Sequence, residues 1–157
     1  TQERIGLNKK VFKIYKIRTM KKDAPQLGTH EVRSNFLLAS GNLIRALKLD
    51  EFPQLLNVVL GHINLVGPRP GLEVQTLLLK EREDRHIFNI KPGITGLSQI
   101  LGYDMSDPKK LSEVDMIYMK NKTMFLDFLI LIGTFFSKVR NIVSIKIGVP
   151  VNQNKST

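Results

Sequence analysis

Two short segments hold the side chains most able to do chemistry: Leu49-Asp50-Glu51-Phe52-Pro53-Gln54-Leu55-Leu56-Asn57, then Leu65-Val66-Gly67-Pro68-Arg69-Pro70. The first sets two adjacent carboxylates beside a proline-marked helix start, and the second holds an arginine between two prolines. Neighbouring side chains on a regular helix point about 100° apart, but at a helix start one belongs to the entering chain. Asp50 and Glu51 can therefore turn toward one ion or one substrate. A hard divalent cation such as Mg²⁺ takes one or two carboxylates plus phosphate oxygens and water, a set this pair can supply. A carboxylate at the positive end of a helix, with Arg45 five positions earlier, is expected to stay ionised at neutral pH and able to attack phosphorus. Asp50 could instead serve only as a helix N-cap. Proline on each side of Arg69 limits the backbone and lowers the ordering cost of aiming the guanidinium, whose fork suits phosphate. Its plainer alternative is a rigid surface turn with a solvated arginine. Residue logic thus stops at a carboxylate and arginine phosphate site with a metal.

Other chemistries find no support in the residues. Cysteine is absent, which removes disulfides and thiolate ligands. His30, His62 and His86 are far apart, without the His-x-x-x-His spacing of a zinc site. No Gly-x-Ser-x-Gly elbow, Walker loop or dinucleotide fingerprint occurs.

Several elements must position the two segments. Val11 to Arg18 mixes β-branched, aromatic and cationic residues and leans to an extended segment, and Lys21 to Val32 reads as a mobile loop. Phe36 to Leu47 has helical spacing of apolar residues. A second helix is expected to open around Asp50, with Pro53 in its first turn and Gly61 as its stop. Leu72 to Ile87 should be helical, its Glu81-Arg82-Glu83-Asp84-Arg85 run a solvated face. Pro92-Gly93-Ile94-Thr95-Gly96 reads as a tight turn that reverses the chain or turns N–H groups to a ligand. Asp107-Pro108 caps a helix reaching about Lys120. A further helix, Thr123 to about Val139, would be apolar nearly all round. It is either core or a helix lying flat on lipid, and Lys120, Lys122, Lys138 and Arg140 flank it. From Asn141 a tail carries a β-branched patch, Ile142 to Val151, and a polar end expected to fray.

The length of 157 residues suits one domain. The expected architecture is a compact, helix-rich α+β domain with little sheet and with amphipathic or apolar membrane-facing helices. Residues 1–140 would form the catalytic domain and 141–157 the tail. Lys and Arg number 24 against 14 Asp and Glu, a net charge of +10 that favours a polyanionic partner. Nucleic acid is the weakest choice of partner. Trp is absent, Tyr numbers three, and the cations sit among the chemistry motifs instead of along one helix face. No apolar stretch reaches the roughly 20 residues that span a bilayer. An exposed apolar last helix could pair with a second chain where lipid is absent; the oligomeric state is otherwise open.

Taken together the motifs resemble the bacterial sugar transferases, the monotopic polyprenyl-phosphate glycosyl-1-phosphate transferases. The resemblance runs from Glu3-Arg4-Ile5-Gly6 through Phe12-Lys13-Ile14-Tyr15-Lys16-Ile17-Arg18-Thr19-Met20, Leu49 to Gln54, Gly67-Pro68-Arg69-Pro70 and Lys91-Pro92-Gly93-Ile94-Thr95-Gly96. It covers about Gln2 to Ile132. It implies transfer of a sugar 1-phosphate from a UDP-sugar to polyprenyl (undecaprenyl) phosphate with release of UMP, the first membrane step of O-antigen, capsule, exopolysaccharide or glycoprotein glycan synthesis. By the same resemblance Asp50 would be the nucleophile of a covalent phospho-aspartate intermediate, and Glu51 with Asp50 would hold Mg²⁺. Arg69, Arg45 and Arg18 would be the substrate-binding cations, at the cytoplasmic face of the bacterial inner membrane. Members of the family carry a hydrophobic helix ahead of the Gln-Glu-Arg segment, which leads to the expectation of a truncated product or excised domain. Lys48 stands where a small hydroxylated residue is usual. The competing expectation is a catalytically silent, membrane-associated scaffold derived from the same domain.

Overall fold

The computed structural model describes residues 1–19 and 41–152, with only the backbone described for Arg45 and Ala46. The loop expected over Lys21 to Val32, the opening of the helix expected from Phe36, His30 and the polar end after Asn152 lie outside the described residues.

The chain forms an α+β domain with two small sheets, as the expected class requires. Strand β1 (Gln2–Ile5) pairs antiparallel with β2 (Val11–Ile14), Gln2 opposite Ile14 and Ile5 opposite Val11. The Ile5 N–H then donates to the Gly71 carbonyl at 3.0 Å, tying this hairpin to the residue that follows Gly-Pro-Arg-Pro. Helix α1 (Gly41–Ala46) leads through Lys48, in the left-handed region at φ 55°, into a 3-10 turn, Leu49–Glu51. Helix α2 (Gln54–Val59) starts only after Pro53, and Gly61 ends it at φ +73°. The dyad thus lies in the turn ahead of the helix and not in its first turn.

Strand β3 (Asn64–Val66) runs parallel to β4 (Gly93–Thr95), Asn64 opposite Gly93 and Val66 opposite Thr95. Parallel strands need a crossover, which here contains helix α3 (Thr76–Asp84). The expected glycine-rich turn at Pro92 to Gly96 is therefore a strand. The physical reason is backbone proximity: a Cβ on Gly93 would fall 2.1 Å from the Gly67 nitrogen, and one on Gly96 2.2 Å from the Gly67 carbonyl oxygen. These glycines let the two motif segments touch along their main chains.

A second correction concerns the charged run on α3. Arg82 is only 2% exposed, because it lies four residues after Leu78 on the stripe that α3 turns inward. Arg85, by contrast, is half-buried and pairs with Glu81 one turn back.

Helices α4 (Leu97–Ile100), α5 (Pro108–Asn121), α6 (Met124–Gly133) and α7 (Ser137–Ile147) surround the core. Asp107 caps α5 as expected, its carboxylate accepting the Lys110 N–H at 3.0 Å. The single apolar helix expected over 123–139 is two helices broken after Gly133. At the break the Thr134 hydroxyl turns back to the Ile130 carbonyl and meets the Thr95 hydroxyl at 2.9 Å. The core reading holds for one face of this stretch: Leu126 and Ile130 are buried, while Met124, Phe125 and Phe128 on α6 are exposed. The β-branched patch after Asn141 is helical to Ile147. Val143 is fully buried, Val149 belongs to the same core, and the Asn152 N–H donates to the Leu101 carbonyl. The packed unit therefore continues past residue 140 to Asn152.

Candidate active site

The 3-10 turn places Asp50 inward at 5% exposure, its carbonyl accepting the Ile17 N–H at 3.1 Å. That bond joins the turn to the segment leaving β2. Asn57, buried on α2, secures the same segment: its Oδ1 accepts the Tyr15 N–H at 3.0 Å and its Nδ2 donates to the Lys13 carbonyl at 2.8 Å. Tyr15 and Lys13 are thereby fixed, and Lys16 reaches Asp50, with Nζ 3.1 Å from Oδ2. Burial pulls the Lys16 ammonium below the ordinary lysine pKa, and Arg69 adds to this; Asp50 and Glu51 oppose both.

Glu51 meets the other motif. Arg69 Nη1 lies 3.2 Å from Glu51 Oε1, so the loop after α2 and the dyad converge as expected from the sequence. Two further arginines hold the Pro-Arg-Pro backbone. Arg82 Nη1 donates to the Arg69 carbonyl at 2.6 Å, and Arg4 Nη1 donates to the Pro70 carbonyl at 3.1 Å. Arg82 is itself fixed, its Nη2 2.6 Å from Asp115 Oδ2 while Asp115 Oδ1 accepts from the Ser98 hydroxyl at 2.8 Å. A buried ion pair with its lone pairs engaged in this way is costly to break from either side.

The remaining predicted residues are placed differently. Arg45 lies on α1, and its side chain is outside the description. Arg18 is exposed, and among the described residues it contacts neither the dyad nor Arg69. Sequence reasoning missed Lys16, Arg4 and Arg82. Period two from the buried Ile14 points Lys16 inward, and the four-residue step from Leu78 marks Arg82. Arg4 carried no comparable local signal.

Among the described residues no group of three or more acidic or histidine side chains converges to hold a metal ion. A cation here would have the two carboxylates of the dyad, with phosphate oxygens and water completing its shell, which suits Mg²⁺. Lys16 meets Asp50 Oδ2 and Arg69 meets Glu51 Oε1, so the second oxygen of each carboxylate lies outside these two pairs.

A groove of about 260 Å³ opens beside Glu51, lined by Phe52, Leu55, Leu65, Ile94, Leu131 and Phe135, with Lys48 and Arg140 on its rim. Both cations cap the end of α6: Lys48 Nζ donates to the Thr134 carbonyl at 3.3 Å, and Arg140 donates to the Gly133 and Thr134 carbonyls at 2.7 and 3.1 Å. A larger cleft of about 600 Å³ faces Phe12, His62 and Lys91, but neither the dyad nor Arg69 lines it. The site is defined by its charged groups and not by the larger of these two hollows.

The arrangement offers a buried carboxylate of the kind that can attack phosphorus, a second carboxylate beside it, and the Lys16 and Arg69 cations paired with them. Comparison with known proteins agrees in kind. The sequence profile of the family described as "Bacterial sugar transferase" matches residues 1–141. The chain is 44% identical over 133 residues to "Uncharacterized sugar transferase EpsL" of Bacillus subtilis, covering 83% of this chain and 64% of EpsL. It is 37% identical over 144 residues to the UDP-N-acetylgalactosamine-undecaprenyl-phosphate N-acetylgalactosaminephosphotransferase of Aeromonas hydrophila, covering 85% of this chain and 33% of that protein. Identity is 32% over 146 residues to the UDP-glucose:undecaprenyl-phosphate glucose-1-phosphate transferase of Klebsiella pneumoniae, covering 86% and 31% respectively. The chain therefore spans less than two thirds of EpsL and about a third of the other two.

Proposed function

Because the chain belongs to the bacterial sugar transferase family, we propose that it transfers a sugar 1-phosphate from a UDP-sugar to polyprenyl phosphate and releases UMP. The observation that carries this reading is the buried Asp50 carboxylate held by Lys16 beside the Glu51–Arg69 pair. An Asp50 oxygen attacks the sugar-linked phosphorus, the bond from that phosphorus to the bridging oxygen of UMP breaks, and a phospho-aspartate forms. A polyprenyl phosphate oxygen then attacks the same phosphorus, releasing the Asp50 carboxylate and a lipid-linked diphosphate sugar. Lys16 positions the attacking carboxylate, and Arg69, in reach of Glu51, binds a phosphate oxygen. Glu51 with Asp50 would hold Mg²⁺, whose charge offsets that of the diphosphate when it is bound.

Two more relations belong to the same reading. Arg45 and Arg18 complete the set of substrate-binding cations, and the protein works at the cytoplasmic face of the inner membrane. The membrane assignment is supported by the exposed apolar residues of α6 and α7, among them Phe125, Phe128 and Ile145, with the cations Lys138 and Lys146 on α7; no helix among the described residues is long and apolar enough to cross a bilayer. UMP release from a panel of UDP-sugars, with Mg²⁺ and undecaprenyl phosphate, tests the reaction. Activity is expected for one or a few sugars and is expected to drop by a thousand-fold order or more, roughly, in Asp50→Asn, since the nucleophile is removed. Undiminished activity in that variant refutes the covalent route, and vesicle binding with no turnover of any sugar favours the silent scaffold.

A further inference from the structure

Arg4, Lys16 and Arg69 line one gap together with Gln54 and Gly93. The two acidic residues of the site are already matched to two of these cations, Asp50 to Lys16 and Glu51 to Arg69. Among the described residues no carboxylate pairs with Arg4. Its Nη1 donates to the Pro70 carbonyl at 3.1 Å, its Nη2 to Gln2 Oε1 at 2.9 Å, and its Nε is buried with no partner. Both contacts are to neutral acceptors, so neither supplies the guanidinium with a negative charge of its own. A largely buried guanidinium that feels the like charge of Arg69 is costly unless a further negative charge arrives. The effect is visible on Arg4, whose pKa is lowered to about 10 by burial first and by Arg69 second, against the opposing pull of Glu51.

We propose that Arg4 completes a three-cation cradle for a phosphoryl group, its Nε–H donating to an anionic oxygen that enters the gap shared with Lys16 and Arg69. The gap is about 10 Å³, room for one water-sized group. It therefore admits a single phosphoryl oxygen, and the rest of the group stays at its mouth. No acidic residue lines the gap, so its walls present three cations and no carboxylate to an incoming oxygen. The proposal deepens the transferase reading and rests on it for the source of the phosphate, which is either the donor nucleotide or the lipid acceptor. Arg4 would then do two things with one fork: Nη1 holds the Pro70 carbonyl of the arginine turn, and Nε reads the ligand.

Calorimetric binding of UMP and of a water-soluble short-chain prenyl phosphate, at fixed ionic strength, separates the two sources. Arg4→Gln is expected to weaken at least about ten-fold whichever ester occupies the cradle. Arg4→Lys should lose less, because it keeps the charge and gives up the fork. Should Arg4→Gln not fold, the Arg4 Nε–H resonance of the unaltered protein, assigned by its absence in Arg4→Lys, is expected to move on titration with one of the two esters. Affinities unchanged in the variants for both esters, or an Nε–H signal indifferent to both, overturn the proposal and leave Arg4 as a clamp on Pro70. The outcome is independent of the turnover assay. Sugar transfer with phosphate binding that ignores Arg4 refutes the cradle alone, and Arg4-dependent phosphate binding without turnover refutes the transferase alone.

Discussion

At the scale of single residues, the site depends on cations whose charge is under strain, and Lys16 shows the consequence most directly. Burial and Arg69 hold its pKa below the usual 10.5, so it loses its proton earlier on an alkaline titration than a free lysine would. Lys16 deprotonation removes the partner of Asp50, and the alkaline limb of kcat/KM is expected to begin below pH 10.5. Lys16→Arg, whose charge persists to higher pH, should move that limb upward; an unmoved limb would assign it to another group. The sign for stability follows from linkage. With a folded-state pKa below the unfolded one, the unfolded chain binds more protons between the two values, so this group adds stability as pH rises across that window. Asp50, Glu51 and Arg69 were legible in the sequence because their signals are local: an acidic pair beside a proline, and an arginine fixed by two prolines. Lys16 and Arg82 were less so. Each sits in a segment that reads as ordinary strand or surface helix until the partner across the fold, Asp50 or Asp115, is known.

At the scale of elements, the two proline-and-glycine motifs work as one unit, since β3 and β4 are parallel neighbours whose flanking residues bond across. The Gly67 N–H donates to the Thr95 carbonyl and the Gly93 N–H to the Pro68 carbonyl, both at 2.9 Å. Gly93→Ala would drive a methyl into Gly67 and is expected to cost about 1–3 kcal/mol or more of stability and also to raise KM, because the displaced backbone carries Arg69. Asp107→Ala, which removes the α5 cap far along the chain, should cost about 1 kcal/mol with KM unchanged. Urea melts paired with steady-state kinetics distinguish the two, and equal effects on KM would count against the coupling of β4 to the arginine turn. Capping and punctuation were read correctly at Asp107 and Gly61 because they act within a turn of chain. The Pro92 to Gly96 segment was read as a turn because glycine has the same signature whether it bends the chain or admits another backbone. Only the approach of Gly67 distinguishes the cases. The break between α6 and α7 depends likewise on Thr95, a residue nearly forty positions away from Thr134.

At the scale of the whole molecule, the charge of +10 and the exposed Phe125, Phe128, Phe135, Phe136 and Ile145 describe a surface with apolar and cationic parts side by side. Lys146 even lies over the Phe125 ring at 4.7 Å. Binding to vesicles containing anionic lipid is expected to weaken as salt rises, each Lys or Arg near the surface contributing about 1 kcal/mol. The double variant Phe135→Asp, Phe136→Asp should bind less at every salt concentration; sedimentation that is indifferent to both changes would remove this face from the membrane account. The α+β class with little sheet and the predominance of helix were legible in composition and periodicity. The extent of the packed unit was not, because the β-branched residues from Ile142 to Val151 have no strand partner among the described residues and reach the core instead through α7, with Val143 on it and Val149 just after it. The bridge from Ile5 to Gly71 has a consequence for assembly. Arg4 and Lys16 belong to the amino-terminal hairpin and its exit, Arg69 lies more than fifty residues on, and the hairpin cations oppose Arg69 only once the hairpin has closed onto that glycine. The electrostatic penalty of the site is therefore tied to that long-range closure, and a phosphate that binds the closed form would favour it by mass action.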